Sequence, residues 1–146
     1  MNINEVLFSE ELRARILSLE YKNLTAEKIR QIYFEETGKE LDINIKIYRS
    51  KDYEQVLNIG KYGFDGTIIH FFDETTKTNQ VYSIARGSEM SEEIDWRPQD
   101  WLYNIMGIFV GGSKVQYADA EIFENYILKM IRKETVQFGI NLTKIG

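Results

Sequence analysis

The residues best suited to do chemistry in this chain follow a segment of alternating side chains. Residues 80–85 alternate as a strand does, and Arg86, Gly87 and Ser88 come directly after them. Because glycine lets the backbone turn sharply, the chain can leave the sheet abruptly at Gly87 and expose the serine that follows. The alternative interpretation is a plain strand-exit turn with no chemical role.

A second element has the pattern D-W-x-x-N and is formed by Asp100, Trp101 and Asn104. After it come an amphipathic helical segment, a short strand at residues 140–145, and Gly146. In this order the elements resemble the N-terminal half of a class 3 (fungal-type) lipase, which is an α/β-hydrolase. Gly146 stands where that family has the first glycine of its Gly-x-Ser-x-Gly nucleophile elbow. We therefore expect a hydrolase sequence that stops just before its catalytic serine.

The resemblance implies a role for each of these residues. Ser88 would be the oxyanion donor at the strand exit formed by Arg86 and Gly87. The D-W-x-x-N residues would pack and hydrogen-bond beside the oxyanion loop, although they could also simply begin an amphipathic helix. The sequence departs from the family pattern at two places. Asp95-Trp96 could be aligned with the Asp-Trp of the pattern in place of Asp100-Trp101, and Gly111-Gly112-Ser113 stands where the family usually has His-x-Gly-Phe.

An acyl-transfer site also needs a nucleophile, a base and an orienting acid. Only the oxyanion donors are represented here, so the chain alone is expected to be inactive. The resemblance implies that the complete enzyme takes a carboxylic ester or lipid substrate, acylates its serine and releases the acid by water attack. The alternative is a free-standing, non-enzymatic acidic α+β domain that binds other proteins. A His-Ser-x-Gly-Gly sequence directly after Gly146 would separate the two hypotheses.

Other residues with chemical potential favour structural interpretations. His70 is the sole histidine and precedes the expected serine, whereas the hydrolase triad runs Ser, Asp, His along the chain. We therefore expect a satisfied histidine in the core or on a strand face. Glu92, Glu93 and Asp95 are expected to form a solvated loop and not a metal site. Ser113 follows two glycines but lacks the lysine of a phosphate loop, and no cofactor is indicated.

Composition limits the class of protein. The chain has 146 residues, a net charge of −5 and no cysteine. The acidic balance argues against a nucleic-acid partner, because no basic patch is available to neutralise phosphates. No segment is apolar enough to span a membrane, and no classical signal peptide is present, so we expect a soluble protein that is cytoplasmic or exported by another route. We expect a single domain over residues 1–146.

The periodicities predict an α/β fold, or α+β in isolation, with a helical segment at 1–60 and a hydrolase-like sheet portion at 61–146. Ser9 and Thr25 are expected to cap two helices, the second of which ends at Gly38. Strands are predicted at residues 43–47, 66–72, 80–85 and 140–145. A helix over 119–138, capped by Asp119, makes a βαβ unit in which strand 80–85 lies between an antiparallel strand 66–72 and a parallel strand 140–145. The outer edge of strand 140–145 is expected to favour self-association.

Overall fold

A computed structural model describes residues 10–19, 24–61, 63–87, 108–110 and 114–145. Within these residues the structure has four helices, five strands and short 3-10 turns at Ser50–Tyr53 and Val136–Phe138. The helices are α1 (Glu10–Leu17), α2 (Ala26–Thr37), α3 (Glu54–Leu57) and α4 (Lys114–Thr135). The strands are β1 (Asn44–Arg49), β2 (Phe64–Asp73), β3 (Thr78–Gly87), β4 (Ile108–Val110) and β5 (Thr143–Lys144).

Local sequence signals set the bounds of α2 as predicted. The Thr25 Oγ1 atom accepts a hydrogen bond of 3.2 Å from the Lys28 N–H, which satisfies one of the donors left over at a helix start. Gly38 ends the helix with a φ of 72°, a backbone conformation in which a side chain would be strained. The predicted cap of α1, Ser9, lies outside the described residues.

The five strands form one mixed sheet in the order β1-β2-β3-β4, with β5 also paired to β3. β1 and β2 are antiparallel, as are β2 and β3. β3 runs parallel to both β4 and β5. The predicted pairing of strand 80–85 with an antiparallel and a parallel neighbour is therefore confirmed, and so is the βαβ unit. β5 is shorter than predicted. β1, which comes from the segment 1–60, is part of the same sheet.

Helices cover both faces of the sheet, which gives three layers. Successive side chains of a strand point to opposite faces, so the strands divide their apolar residues between two cores. On one face α1 and α2 pack against Ile69, Phe71, Tyr82 and Ile84. On the other face α4 packs Phe123, Ile127 and Ile131 against Phe64, Ile68, Val81 and Ala85. This double cover explains why Thr67 to Phe72 is an almost continuous apolar run.

The start of α4 differs from the prediction. The helix begins at Lys114, so Asp119 lies inside it and is not its N-cap. The reason is tertiary: the Asp119 carboxylate, 7% exposed, accepts a hydrogen bond of 3.0 Å from the Gly60 N–H. Local sequence cannot distinguish a carboxylate that caps its own helix from one that binds another segment. Among the described residues, no helix is long and apolar enough to cross a membrane.

Candidate functional site

Of the predicted oxyanion site, only the strand exit at Arg86 and Gly87 is described. Arg86 and Gly87 are the last residues of β3 and are paired in register with Asp65 and Phe64. Ser88 is outside the described part of the chain. The same holds for Asp100, Trp101, Asn104 and Gly146, and for the acidic residues Glu92, Glu93 and Asp95. Their predicted roles therefore stay predictions.

The register of β5 on β3 determines the distance between the C-terminal ends of these two strands. Gln80 pairs with Thr143 and Val81 with Lys144, while Gly87 lies six residues beyond Val81. At about 3.3 Å per residue this separation is roughly 20 Å along β3. Since β2 occupies the other edge of β3, β4 and β5 share one edge, with β4 beside residues 84–86. Because Ser88 follows Gly87 directly, contact between Ser88 and the sequence after Ile145 requires that sequence to continue toward the Gly87 end of the sheet.

A buried polar cluster ties the three parts of the βαβ unit together. Glu124 of α4 accepts a hydrogen bond of 3.2 Å from the Ser83 hydroxyl on β3, through Oε1. The same Oε1 atom lies 2.7 Å from the Lys144 Nζ of β5. The Glu124 side chain is 1% exposed and that of Lys144 is 24% exposed. One carboxylate oxygen thus joins the helix to both parallel strands.

Burial shifts both charged members of this cluster toward their neutral forms. Loss of water around Glu124 raises the pKa of its carboxyl group, although the contacts with Lys144 and Ser83 act in the opposite direction. Burial likewise lowers the pKa of the Lys144 ammonium group, while Glu124 raises it. A buried ion pair of this kind balances a large desolvation cost against a close contact.

The cluster connects α4 to the two strands and does not form an open catalytic site. Ser83 is completely buried, so its hydroxyl cannot reach a substrate. The second oxygen of Glu124, Oε2, is also buried and has no hydrogen-bond partner among the described residues. Sequence reasoning missed this cluster, although one signal was available: Ala120, Glu124, Ile127 and Ile131 are spaced by four, three and four residues, so Glu124 falls on the apolar face of α4.

His70 is a buried and hydrogen-bonded strand residue, as expected. Its Nε2 atom lies 2.6 Å from the Asn79 Oδ1, and the side chain is 6% exposed. It sits toward the end of β2 that is remote from Gly87, because β2 and β3 are antiparallel. This position excludes a direct role beside the exit of β3. Within the described ranges, no group of three His, Cys, Asp or Glu side chains could hold a metal ion.

The chain belongs to the family described as Domain of unknown function (DUF6792), whose family model matches residues 11–146. It is similar to the uncharacterized protein YvcB of Bacillus subtilis (strain 168), with 31% identity over 150 residues. This match takes in 86% of the chain and 22% of the relative, so the chain spans about a fifth of the relative's length. No solved structure matches the chain.

Proposed function

We propose that this domain forms the oxyanion-strand part of a lipase- or esterase-like serine hydrolase. The observation that carries the proposal is the unit β3–α4–β5, whose two strands are parallel and whose sheet is covered by helices on both faces. Open α/β sheets bind their ligands at the carboxyl ends of such strands. Gly87 lies at that end of β3, and the sequence Arg86-Gly87-Ser88 carries the resemblance to class 3 lipases.

In this proposal the domain supplies positioning groups and further sequence supplies the reacting ones. Ser88 donates to the oxyanion of a carboxylic ester during acylation and again when water attacks the acyl-enzyme. Asp100, Trp101 and Asn104 support the loop that follows, and Gly146 opens the nucleophile elbow. The nucleophilic serine, the acid and the base lie outside these 146 residues. The greater length of the relative supports such a division, because the domain occupies only 22% of it.

Ester hydrolysis tests the proposal. The full-length relative is expected to hydrolyse a short p-nitrophenyl ester, and the isolated 146-residue chain is not. A chimera that carries residues 11–146 in place of the relative's matching segment then allows Ser88 to be varied. Ser88→Pro removes the backbone N–H, and kcat should fall about 10²- to 10³-fold. Ser88→Ala keeps that N–H and should lose less.

Ser113→Ala in the same chimera is the matched control and should leave kcat unchanged. An unchanged kcat in a folded Ser88→Pro chimera would contradict the assignment of Ser88. Hydrolysis by the isolated chain that disappears in Ser88→Ala or Ser113→Ala would show instead that the nucleophile lies within these residues.

One surface favours a second candidate function, that of an acidic protein-interaction domain. A groove of about 540 Å³ lies along α2, and its lining has three carboxylates and one cation around Phe34: Glu27, Glu40, Asp42 and Arg30. The Phe34 side chain is 53% exposed, so an apolar group stands among three carboxylates. This combination suits a partner that presents a cation beside an apolar side chain. A relative that folds but hydrolyses no ester would favour this second candidate.

A further inference from the structure

A second pocket lies at the opposite end of the sheet from Gly87. It has a volume of about 410 Å³ and is bounded by β1, β2 and the C-terminal end of α4. Its volume is within the range of small-molecule sites in proteins. His70, Lys46 and Glu134 supply its main polar groups, and Phe72 and Phe138 form an apolar wall. The proposed hydrolase site makes no use of it.

The hydrogen-bond network under this pocket determines which ring nitrogen of His70 carries the proton. The Thr135 hydroxyl donates to the Ile131 carbonyl, so its oxygen accepts from the Asn79 Nδ2. The same Nδ2 group also donates to the Ile140 carbonyl at 2.9 Å. Asn79 therefore turns its Oδ1 toward His70 and can only accept there. It follows that Nε2 of His70 carries the hydrogen and that Nδ1 is the acceptor.

The Nδ1 atom is the feature that points to a ligand. No described residue donates a hydrogen bond to it, although the His70 side chain is more than nine-tenths buried and lines the pocket. An acceptor in the wall of a pocket can take a hydrogen bond from a bound molecule. Burial also lowers the pKa of His70, which keeps the ring neutral and its Nδ1 lone pair available near pH 7. A ligand that fits this site brings an N–H or O–H group to Nδ1.

Two opposite charges flank the histidine. Lys46 is directly opposite His70 in the β1–β2 register, and Glu134 approaches from α4. Both are close enough to act electrostatically on the ring. Within the described part of the chain, these two groups form no ion pair with each other. The pocket thus presents a cation and an anion beside a neutral acceptor.

The remaining wall is aromatic. The Phe72 and Phe138 ring centroids are 4.9 Å apart, with Phe138 38% exposed. Aromatic rings of this kind bury an apolar or aromatic ligand group. The required ligand therefore carries an anion, a cationic donor and an apolar group within a small volume.

We propose that this pocket binds a small zwitterion of the amino-acid class with an apolar side chain. Its carboxylate pairs with Lys46, and its ammonium group donates to Nδ1 of His70 and pairs with Glu134. The side chain packs on Phe72 and Phe138. The site is independent of the proposed hydrolase function, so failure of either leaves the other standing.

The sole histidine of the chain is a direct reporter of this site. In ¹⁵N NMR spectra near pH 7, L-phenylalanine is expected to shift the Nδ1 resonance of His70 upfield, with saturation in the millimolar range. Phenethylamine lacks the carboxylate and 3-phenylpropionate lacks the amine, so each should bind at least about tenfold more weakly. Equal binding of either half-molecule would overturn the assignment of a zwitterion, and an unshifted Nδ1 up to the solubility limit would overturn the site itself.

Substitutions of Lys46 and Glu134 test the two charged contacts of the ligand separately. Lys46→Met should weaken the binding of phenylalanine at least about tenfold without changing that of phenethylamine. Glu134→Gln should also weaken the binding of phenylalanine at least about tenfold, without changing that of 3-phenylpropionate. Lys39→Met and Glu11→Gln, at exposed positions away from the pocket, are the matched controls and should bind like the parent chain. If the control variants lose as much affinity for phenylalanine, the effect depends only on net charge and the proposed site is contradicted.

Discussion

At the scale of single residues, His70 should make stability depend on pH in a defined direction. Its pKa in the folded chain is lowered by burial, so the unfolded chain binds the proton more readily. The stability contributed by the neutral ring is present above the unfolded pKa of about 6.5 and is lost as pH falls toward the folded pKa. We expect the free energy of unfolding in urea to fall more steeply on acidification for the parent than for His70→Gln. Parallel pH profiles for the two proteins would contradict this prediction.

The Glu124 cluster makes a second prediction at this scale. Lys144→Met removes the nearest cation and leaves a buried carboxylate, so the free energy of unfolding should fall by about 3 kcal/mol. The double variant Glu124→Leu with Lys144→Met removes both charges. It should recover most of the loss, with about 1 kcal/mol remaining for the Ser83 hydroxyl that has lost its acceptor.

Chemical denaturation measures both variants of this cluster. Lys133→Met, an exposed change on the same helix, is the control and should lie within about 0.5 kcal/mol of the parent. If the double variant is no more stable than Lys144→Met alone, the pair does not act as one unit. Amide exchange gives a local check, since the Ile145 N–H that donates to the Val81 carbonyl should lose protection first in Lys144→Met.

At the scale of elements, Gly66 determines how closely α4 approaches the sheet. A Cβ atom at this position would lie 2.4 Å from Cζ of Phe64 and 3.0 Å from Cδ2 of Phe123. Gly66→Ala should therefore force the helix or the rings to move and destabilise the fold by about 1–3 kcal/mol. Gly38→Ala is the matched control: nothing lies within 4 Å there, and the loss should be only the backbone strain of about 1 kcal/mol. Equal losses in thermal unfolding would show that α4 does not need the glycine.

Elements with strong local signals could be predicted from the sequence. Thr25, Gly38 and the stripe of Ile29, Ile32 and Tyr33 specify α2 because capping and periodicity act within a few residues. The two antiparallel strands around residues 66–72 and 80–85 follow from a continuous apolar run and a polar turn. The parallel partner of β3, which is β5, follows from the helix that separates the two strands in sequence.

The features that could not be predicted depend on contacts between distant segments. Asp119 has the residue type of a helix cap, yet its partner is the backbone of Gly60. Ser83 and Glu124 are 41 positions apart, and nothing local indicates that they meet. β4 and β5 lie one after the other along the same edge of β3. This arrangement likewise depends on the register of the whole sheet and could not be predicted from local sequence. Of the candidate oxyanion site, only the exit at Arg86 and Gly87 falls within the described residues.

At the scale of the whole molecule, the two ends of the sheet differ in character. The end at Gly87 lies toward the start of α4, where Asp119 and Phe123 pack close to the entry of β2. The other end carries the pocket of His70, Lys46 and Glu134 beside the end of α4. The strand exit of the proposed hydrolase site lies at the first end, and the proposed zwitterion site lies at the second. Variants at one end should therefore leave the function of the other unchanged, since independent sites of this separation behave additively.

Labelling with a fluorophosphonate probe tests the hydrolase proposal most directly, because the probe reacts with activated serines. The full-length Bacillus subtilis relative should be labelled on one serine, and peptide mapping should find it shortly after the segment that matches residues 140–145. The 146-residue chain by itself should remain unlabelled. A folded full-length relative that takes up no probe, or a labelled serine within the segment that matches residues 11–146, would contradict the account.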